Sequence, residues 1–324
     1  MLTIMPREKK IISITAGCFN EAENLPLFYE RWRKVLEQFP AYDYEFVIAD
    51  NCSTDGSREI LRRLAAEDPK FRVILNSANF GHIRSPYNAL LSSSGDLIVP
   101  TCSDLQDPPE IFPELLKKYE EGYKVVCAVR NRTHANGLME LVRRFYYWFL
   151  GKVSPGEKIL SGFTGFGIYD RVCIEALKKF NEPYPSFRGL ISEIGFQSTT
   201  VPYVQEKRFH GKTKNNLFTL YDMAMTGVVH HTKLPLRLAV FFGGLLGCLS
   251  LLIALVYLIL KLVWWDTFNL GLAPLVIGLF FFSSVQLFFI GIIGEYLGAV
   301  WTQVRNRPLV IEEERINFQK QEKE

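Results

Sequence analysis

The sequence lacks the short signatures of several large enzyme classes. No G-x-x-x-x-G-K-[ST] occurs, and no G-x-G-x-x-G follows the first predicted strand. This argues against a P-loop ATPase and a dinucleotide-binding fold. No G-x-S-x-G is present either. The six cysteines, at 18, 52, 102, 127, 173 and 248, form no C-x-x-C pair, and no His/Cys spacing suits zinc. They read as free thiols of a reducing compartment. The five histidines, at 82, 134, 210, 230 and 231, read as surface or loop residues. A net charge of +3 is too small to argue for nucleic acid. The first ten residues, MLTIMPREKK, contain no apolar signal region, so the soluble part is expected to stay unexported. No internal repeat is visible.

What is present is a sharp division of polarity along the 324 residues. Residues 1–235 read as a mixed soluble sequence. Residues 236–262 carry one charge near each end, and residues 272–294 carry none. A bilayer core needs about 20 apolar residues in a helix, and both runs reach that. The alternative is a pair of buried core helices. The linker VWWDTFNLG holds two Trp, as expected at a membrane interface. Lys233, Arg237, Arg305 and Arg307 put positive charge on the side of both termini, which predicts that side to be cytoplasmic. The tail EEERINFQKQEKE reads as a solvated, frayed charge run.

In the soluble part, apolar runs alternate with helical patterns. Strands are predicted at 10–20, 44–50, 71–77, 96–103 and 123–131, with helices between them. That alternation predicts an α/β domain with a mostly parallel sheet. Ligands of such sheets bind outside the carboxyl ends of the strands. Three acidic loops fall there: Asn20–Glu21, Asp50 with Asp55, and Asp104 with Asp107. Carboxylates without Cys or His suit a hard cation, Mg²⁺ or Mn²⁺, bridging phosphate oxygens. The alternative is that the acids merely solvate a sheet edge. After residue 131 the pattern loosens. Residues 138–153 and 215–235 read as amphipathic segments able to lie on a membrane, the first with a helix packed on the sheet as its alternative, the second as a juxtamembrane helix over 216–235.

Several stretches together resemble a known family. They are FNEAENLP (19–26), ADNCSTDGS (49–57), NFGH (79–82), SDLQDPPE (103–110), RGL with GF (188–196), RFHGKTK (208–214), and GEYLG with a later RP (294–308). In this order they are similar to the membrane-anchored, inverting glycosyltransferases of family 2 that make polyprenyl-phosphate sugars. Undecaprenyl-phosphate glucosyltransferases and dolichol-phosphate mannose synthases belong to that group. The resemblance implies a GT-A fold over residues 1–215, two transmembrane helices (236–262 and 272–300) and a cytoplasmic tail (301–324). It implies a nucleotide-sugar donor, UDP-linked glucose or N-acetylhexosamine ahead of GDP-mannose, and a polyprenyl phosphate acceptor at the cytoplasmic face of the inner or plasma membrane. It leaves room for a homo-oligomer formed through the membrane helices. Glu21 and Asp50 match positions that hold the nucleobase and ribose. Asp104 matches the second acid of the D-x-D that binds metal and diphosphate, and Asp107 belongs to the tail of that motif. Arg208 and Lys214 match basic residues of a loop that closes over the phosphates.

Two departures stand out. Members often read D-A-D-L-Q-D where this chain has Cys102-Ser103-Asp104-Leu105-Gln106-Asp107. Members also often carry G-D-F-R where this chain has Thr164-Gly165-Phe166-Gly167. A single carboxylate can still suffice for Mg²⁺, which keeps several waters and takes oxygens from substrate phosphates. Glu193, in an otherwise apolar stretch, is a candidate replacement acid that orients the donor sugar, with Gly165 and Gly167 leaving room for it. A catalytically silent nucleotide-binding scaffold is the reading the missing acids favour. A processive polysaccharide synthase is disfavoured, because its Q-x-x-R-W motif is absent and Arg31-Trp32 falls in the first helix.

Overall fold

The computed structural model describes residues 9–130, 162–180, 182–206, 234–264 and 272–318. The chain forms two units, residues 1–215 with 306–324, and residues 216–305.

The first unit opens with strand β1 (Lys10–Cys18), an apolar run buried from Ile12 to Ala16. Helix α1 (Leu25–Leu36) follows, with a proline in its first turn, where the missing N–H costs nothing. Then come β2 (Tyr42–Asp50), α2 (Ser57–Glu67), β3 (Phe71–Asn76), α3 (Gly81–Ser92) and β4 (Leu97–Cys102). A 3₁₀ turn at Pro109–Ile111 leads into α4 (Phe112–Glu120), and β5 (Val125–Arg130) follows. Up to here the order and type of elements agree with the alternation read from the sequence. Beyond residue 161 lie β6 (Phe163–Asp170), α5 (Arg171–Leu177), α6 (Phe187–Glu193) and β7 (Ser198–Tyr203).

The strands form one eight-stranded sheet in the order β7-β5-β6-β4-β1-β2-β3-β8, where β8 is Glu312–Ile316. The pairs β1–β2, β1–β4, β2–β3 and β5–β7 are parallel. Strand β6 is antiparallel to both β4 and β5, and β8 is antiparallel to β3. One face packs Ile12, Ile14, Phe46 and Ile168 against Phe28 and Trp32 of α1 and Phe112 of α4. The other face packs Ile98 and Tyr169 against Tyr87 and Leu90 of α3 and Leu190 of α6.

The tail is not frayed over its first part. Residues 312–316 are an edge strand, and residues 306–324 belong to the first unit rather than to a separate tail. Val310 is buried, and the Asn317 amide donates to the carbonyls of Ala65 at 2.6 Å and Phe71 at 2.9 Å. Three consecutive glutamates at a sheet edge look like a solvated run because charge is what keeps an exposed edge from pairing further.

The second unit contains α7 (Leu234–Val263) and α8 (Leu272–Val304). Both are long and apolar enough to cross a membrane, with mean hydropathy 2.5 and 2.1 in their apolar windows, and none of either window is buried. That is unlike a pair of core helices. The amphipathic segments at 138–153 and 216–233 lie outside the described residues.

Gly167 sits where β6 passes β5 closely, and an added Cβ would fall 2.1 Å from the Val126 carbonyl oxygen. Backbone cannot yield as a side-chain tip can. Gly167→Ala is expected to destabilise the domain by roughly 1–3 kcal/mol, read as a lower unfolding midpoint in urea.

Candidate active site

Strand order reverses about β1: the chain steps from β1 outward to β2 and β3, then crosses back to place β4 on the other flank. Loops leaving β1 and β4 therefore part in opposite directions and leave a crevice at the carboxyl ends of the strands. The register brings three loop origins level, with Cys18 beside Asp50 and Gly17 beside Cys102. Gly17 has no space for a side chain, because its Cβ would lie 2.5 Å from Pro86 Cγ of α3.

Each of these three loops holds a non-glycine residue in the left-handed region: Asn20 (φ 57°), Cys52 (φ 64°) and Leu105 (φ 58°). Such residues cost on the order of 1–3 kcal/mol each and persist where surrounding structure over-determines them. Here the surroundings are visible. The Asn20 N–H donates to Ser53 Oγ at 2.9 Å, and the Thr54 N–H returns to Asn20 Oδ1 at 2.8 Å. Glu21 N–H and Ala22 N–H donate to Ser57 Oγ and Asp55 Oδ2, both at 3.0 Å. Asn51 reaches the next loop through Asn79 Oδ1 at 2.7 Å and the Phe80 N–H at 2.8 Å. Leu105 is fully buried and pins the third loop.

The acids within this frame differ in role. Burial pushes the Asp55 carboxyl up, but hydrogen bonds from Ser57 and the Ala22 N–H outweigh it and hold Asp55 below the usual range. Asp55 is thus a loop staple. Glu21 Oε2 accepts from the Asn24 amide at the entrance to α1. Asp50 is completely buried. Its Oδ2 accepts from Arg58 Nε at 2.8 Å and from the Ser53 N–H at 3.1 Å, while its Oδ1 has no hydrogen-bond partner among the described residues. An orphaned buried acceptor costs about 1–3 kcal/mol until a donor arrives. A nucleobase imide or a ribose hydroxyl carries such a donor. Burial, with Asp50 close by, pushes the Cys18 thiol up to about 12, so this cysteine stays protonated and inert.

Asp104 is 5% exposed and takes the Gln106 N–H on Oδ1 at 3.1 Å. Ser103 ties the same turn to β1 by donating to the Gly17 carbonyl at 2.9 Å. Cys102, where an acid would complete a D-x-D, is exposed at the end of β4. Among the described residues no group of three or more His, Cys, Asp or Glu could hold a metal ion. The Asp104 carboxylate alone suits a Mg²⁺ or Mn²⁺ that would take most of its oxygens from water and substrate phosphates, and the soft Cys102 thiol adds nothing to that set.

Asp107 does a different job. It is 1% exposed, and its Oδ1 accepts from the Tyr203 hydroxyl of β7 and from Arg130 Nη2 of β5 at 3.4 Å. Arg130 Nε also donates to the Tyr203 hydroxyl at 3.1 Å. The acid therefore braces the Asp104 loop against the far edge of the sheet. Glu193 ends α6 on its exposed side. Neither glycine opens space for it: Gly167 is set by β5, and a Cβ on Gly165 would meet Phe187 Cδ1 at 3.3 Å. Arg208 and Lys214 lie outside the described residues. Arg58, Arg130 and Tyr203 were not evident in the sequence. Arg58 had a usable signal, since it follows the Asp-Gly-Ser turn in the first turn of α2.

A family model described as Glycosyl transferase family 2 matches residues 13–177. The chain is 33% identical over 301 residues to the uncharacterized glycosyltransferase YkcC of Bacillus subtilis (strain 168), covering 92% of each. It is 32% identical over 301 residues to the SfII prophage-derived bactoprenol glucosyl transferase of Shigella flexneri, covering 93% of this chain and 96% of that protein. Among solved structures, mannosyl-3-phosphoglycerate synthase from Rubrobacter xylanophilus aligns with a TM-score of 0.45 and 20% identity, over 68% of this chain and 72% of that one.

Burial raises the Asp107 carboxyl above its ordinary value, against the lowering effect of the Tyr203 and Arg130 hydrogen bonds. Its contribution to stability is therefore fully present below the unfolded carboxylate range and is lost as pH rises through the folded value. Tyr203→Phe removes a donor to the ionised form. It should cost about 1–3 kcal/mol at neutral pH, and the deficit should shrink as acid protonates Asp107. Urea unfolding at neutral and mildly acidic pH checks both the size and the sign.

Proposed function

The chain belongs to glycosyltransferase family 2 and is a glycosyltransferase; from that premise we propose that it moves one hexose from a nucleotide sugar to undecaprenyl phosphate or a similar polyprenyl phosphate. The observation that carries this reading is a pairing within one chain. Buried Asp50 and Asp104, at the carboxyl ends of β2 and β4 beside the point where strand order reverses, accompany two helices of membrane length. Glucose from a UDP donor is the first candidate, because a relative similar over nearly the whole length is named a bactoprenol glucosyl transferase. Residues on both flanks of the apolar helices belong to one unit. This supports a hairpin that leaves and re-enters the same, cytoplasmic, face of the membrane.

The chemistry asks little of general-base catalysis. A phosphate monoester has a second pKa of about 6, so the acceptor is largely a dianion at neutral pH. Its oxygen attacks the anomeric carbon as the bond to the diphosphate breaks, which inverts that carbon and releases the nucleoside diphosphate. Losing an acid at Gly165 therefore costs less than it would in a transferase that must deprotonate a hydroxyl. In this scheme Glu21 and Asp50 take the nucleoside. Asp104 is the protein ligand of Mg²⁺ or Mn²⁺, which when bound screens the charge on the leaving diphosphate. Arg208 and Lys214 supply positive charge where two phosphorylated substrates meet. Glu193, at the end of α6, is the candidate to orient the donor sugar in this scheme.

A donor screen tests the reading. Detergent-purified protein receives undecaprenyl phosphate, Mg²⁺ or Mn²⁺, and a panel of radiolabelled nucleotide sugars, and label is counted in the organic phase. The expected outcome is transfer from one donor, abolished by EDTA and reduced at least roughly a hundredfold in Asp104→Asn. Nucleotide binding without transfer from any donor would favour the silent scaffold. Full activity and unchanged sugar preference in Glu193→Ala would remove Glu193 from the scheme.

A further inference from the structure

The strand that follows the membrane-length helices reaches the nucleoside end of the site. Strand β8 pairs with the β3 edge, but not regularly. Leu75 opposes Glu314 and Asn76 opposes Glu312, so Glu313 is the extra residue of a β-bulge. A regular strand sends neighbouring side chains to opposite faces. A bulge breaks that alternation and re-aims a side chain. Here both neighbours turn to α2: Glu314 pairs with Arg62 at 2.5 Å, and Glu313 pairs with Arg58 at 2.9 Å. Arg58 and Arg62 stand one turn apart on that helix.

The two pairs are not equivalent. Glu314 and Arg62 are each 45% exposed in their side chains and make no further ion pair among the described residues. The other pair is the outer end of a chain running inward. Glu313 is 53% exposed, Arg58 is 18% exposed, and Asp50 is not exposed at all. The Arg58 fork is divided among three acceptors: Glu313 Oε2, Asp50 Oδ2 at 2.8 Å, and the carbonyl of Asn76, the residue beside the bulge. Arg58 is the charged group that compensates a fully buried carboxylate. Its planar fork can hold Asp50 in one rotamer only while the other nitrogens stay fixed. Asp50 Oδ1 is one of several buried polar atoms with no hydrogen-bond partner among the described residues, and it is the one on a carboxylate.

We propose that Arg58 and Glu313 are positioning residues for the nucleotide, through which the strand beyond the membrane-length helices holds Asp50 in its binding rotamer. This inference rests on the reading of Asp50 as a nucleoside-binding residue. It gives the tail a role in donor affinity rather than only in closing the sheet edge.

The test uses the full chain in detergent, with KM for the nucleotide sugar, KM for undecaprenyl phosphate and kcat measured separately. Binding of UDP and of GDP with Mg²⁺ is followed by calorimetry. Glu313→Ala should raise donor KM and weaken nucleotide binding by about threefold, as fits a partly exposed ion pair. Acceptor KM and kcat should stay unchanged, and Glu313→Gln, which keeps an acceptor for Arg58, should recover most of the loss. Arg58→Lys keeps the charge but loses the fork, and should weaken nucleotide binding by roughly tenfold. Adding Glu313→Ala to the Arg58→Lys variant should cost little more, because the two act through one path. Glu314→Ala breaks the neighbouring pair on the same strand and should leave donor KM unchanged. Equal effects of Glu313→Ala and Glu314→Ala on donor KM would overturn the inference, leaving β8 a structural edge. A wild-type protein that binds neither nucleotide would overturn both the inference and the reading beneath it.

Discussion

Parallel pairing of β1 with β2 on one side and β4 on the other is the constraint on which the site depends. It levels Cys18 with Asp50 and Gly17 with Cys102, so three loops start from one line. Because strand order reverses there, the loops diverge and a crevice must open between them. The close pass of Pro86 over Gly17 holds α3 against the same point. Left-handed Asn20, Cys52 and Leu105 then bend the three loops, at a cost offset by the bonds between the first two loops, by the Ser103 bond to Gly17 and by the burial of Leu105.

Carboxylates in this frame do different work although they look alike in sequence. Asp55 staples two loops, and Asp107 braces the Asp104 turn through Tyr203 and Arg130. In the scheme we propose, Asp50 and Glu21 meet the nucleoside and Asp104 the diphosphate end of the ligand. This division explains how an exposed Cys102 can be tolerated. The turn is held by Ser103, Leu105 and Asp107, none of which needs an acid at 102, and a hard cation needs few protein oxygens when a diphosphate supplies the others.

Much of the framework was legible because buried parallel strands write long apolar runs. The first five strands, their helices and the three acidic loops could be read that way. The last three strands could not, each for a local reason. Strand β6 is interrupted by Gly165 and Gly167, which weaken the strand pattern where backbones pass closely. Strand β7 carries Pro202, tolerated only because β7 is an edge. Strand β8 is mostly charged, and charge at a sheet edge reads as a solvated tail. The same limit hid Tyr203 and Arg130, whose partner Asp107 lies on a distant loop. It also hid the cause for Gly167, where the backbone of β5, rather than room for Glu193, leaves no place for a side chain.

The central claim is that the crevice beside β1 binds a nucleotide with Asp50 as the acceptor for its nucleoside. The direct measurement is calorimetric titration of the purified chain with UDP, alone and with Mg²⁺, in wild type and Asp50→Asn. The account predicts saturable one-site binding by wild type, strengthened by Mg²⁺, and a loss of at least roughly tenfold in affinity in the variant. Undiminished binding by a folded Asp50→Asn protein would contradict it.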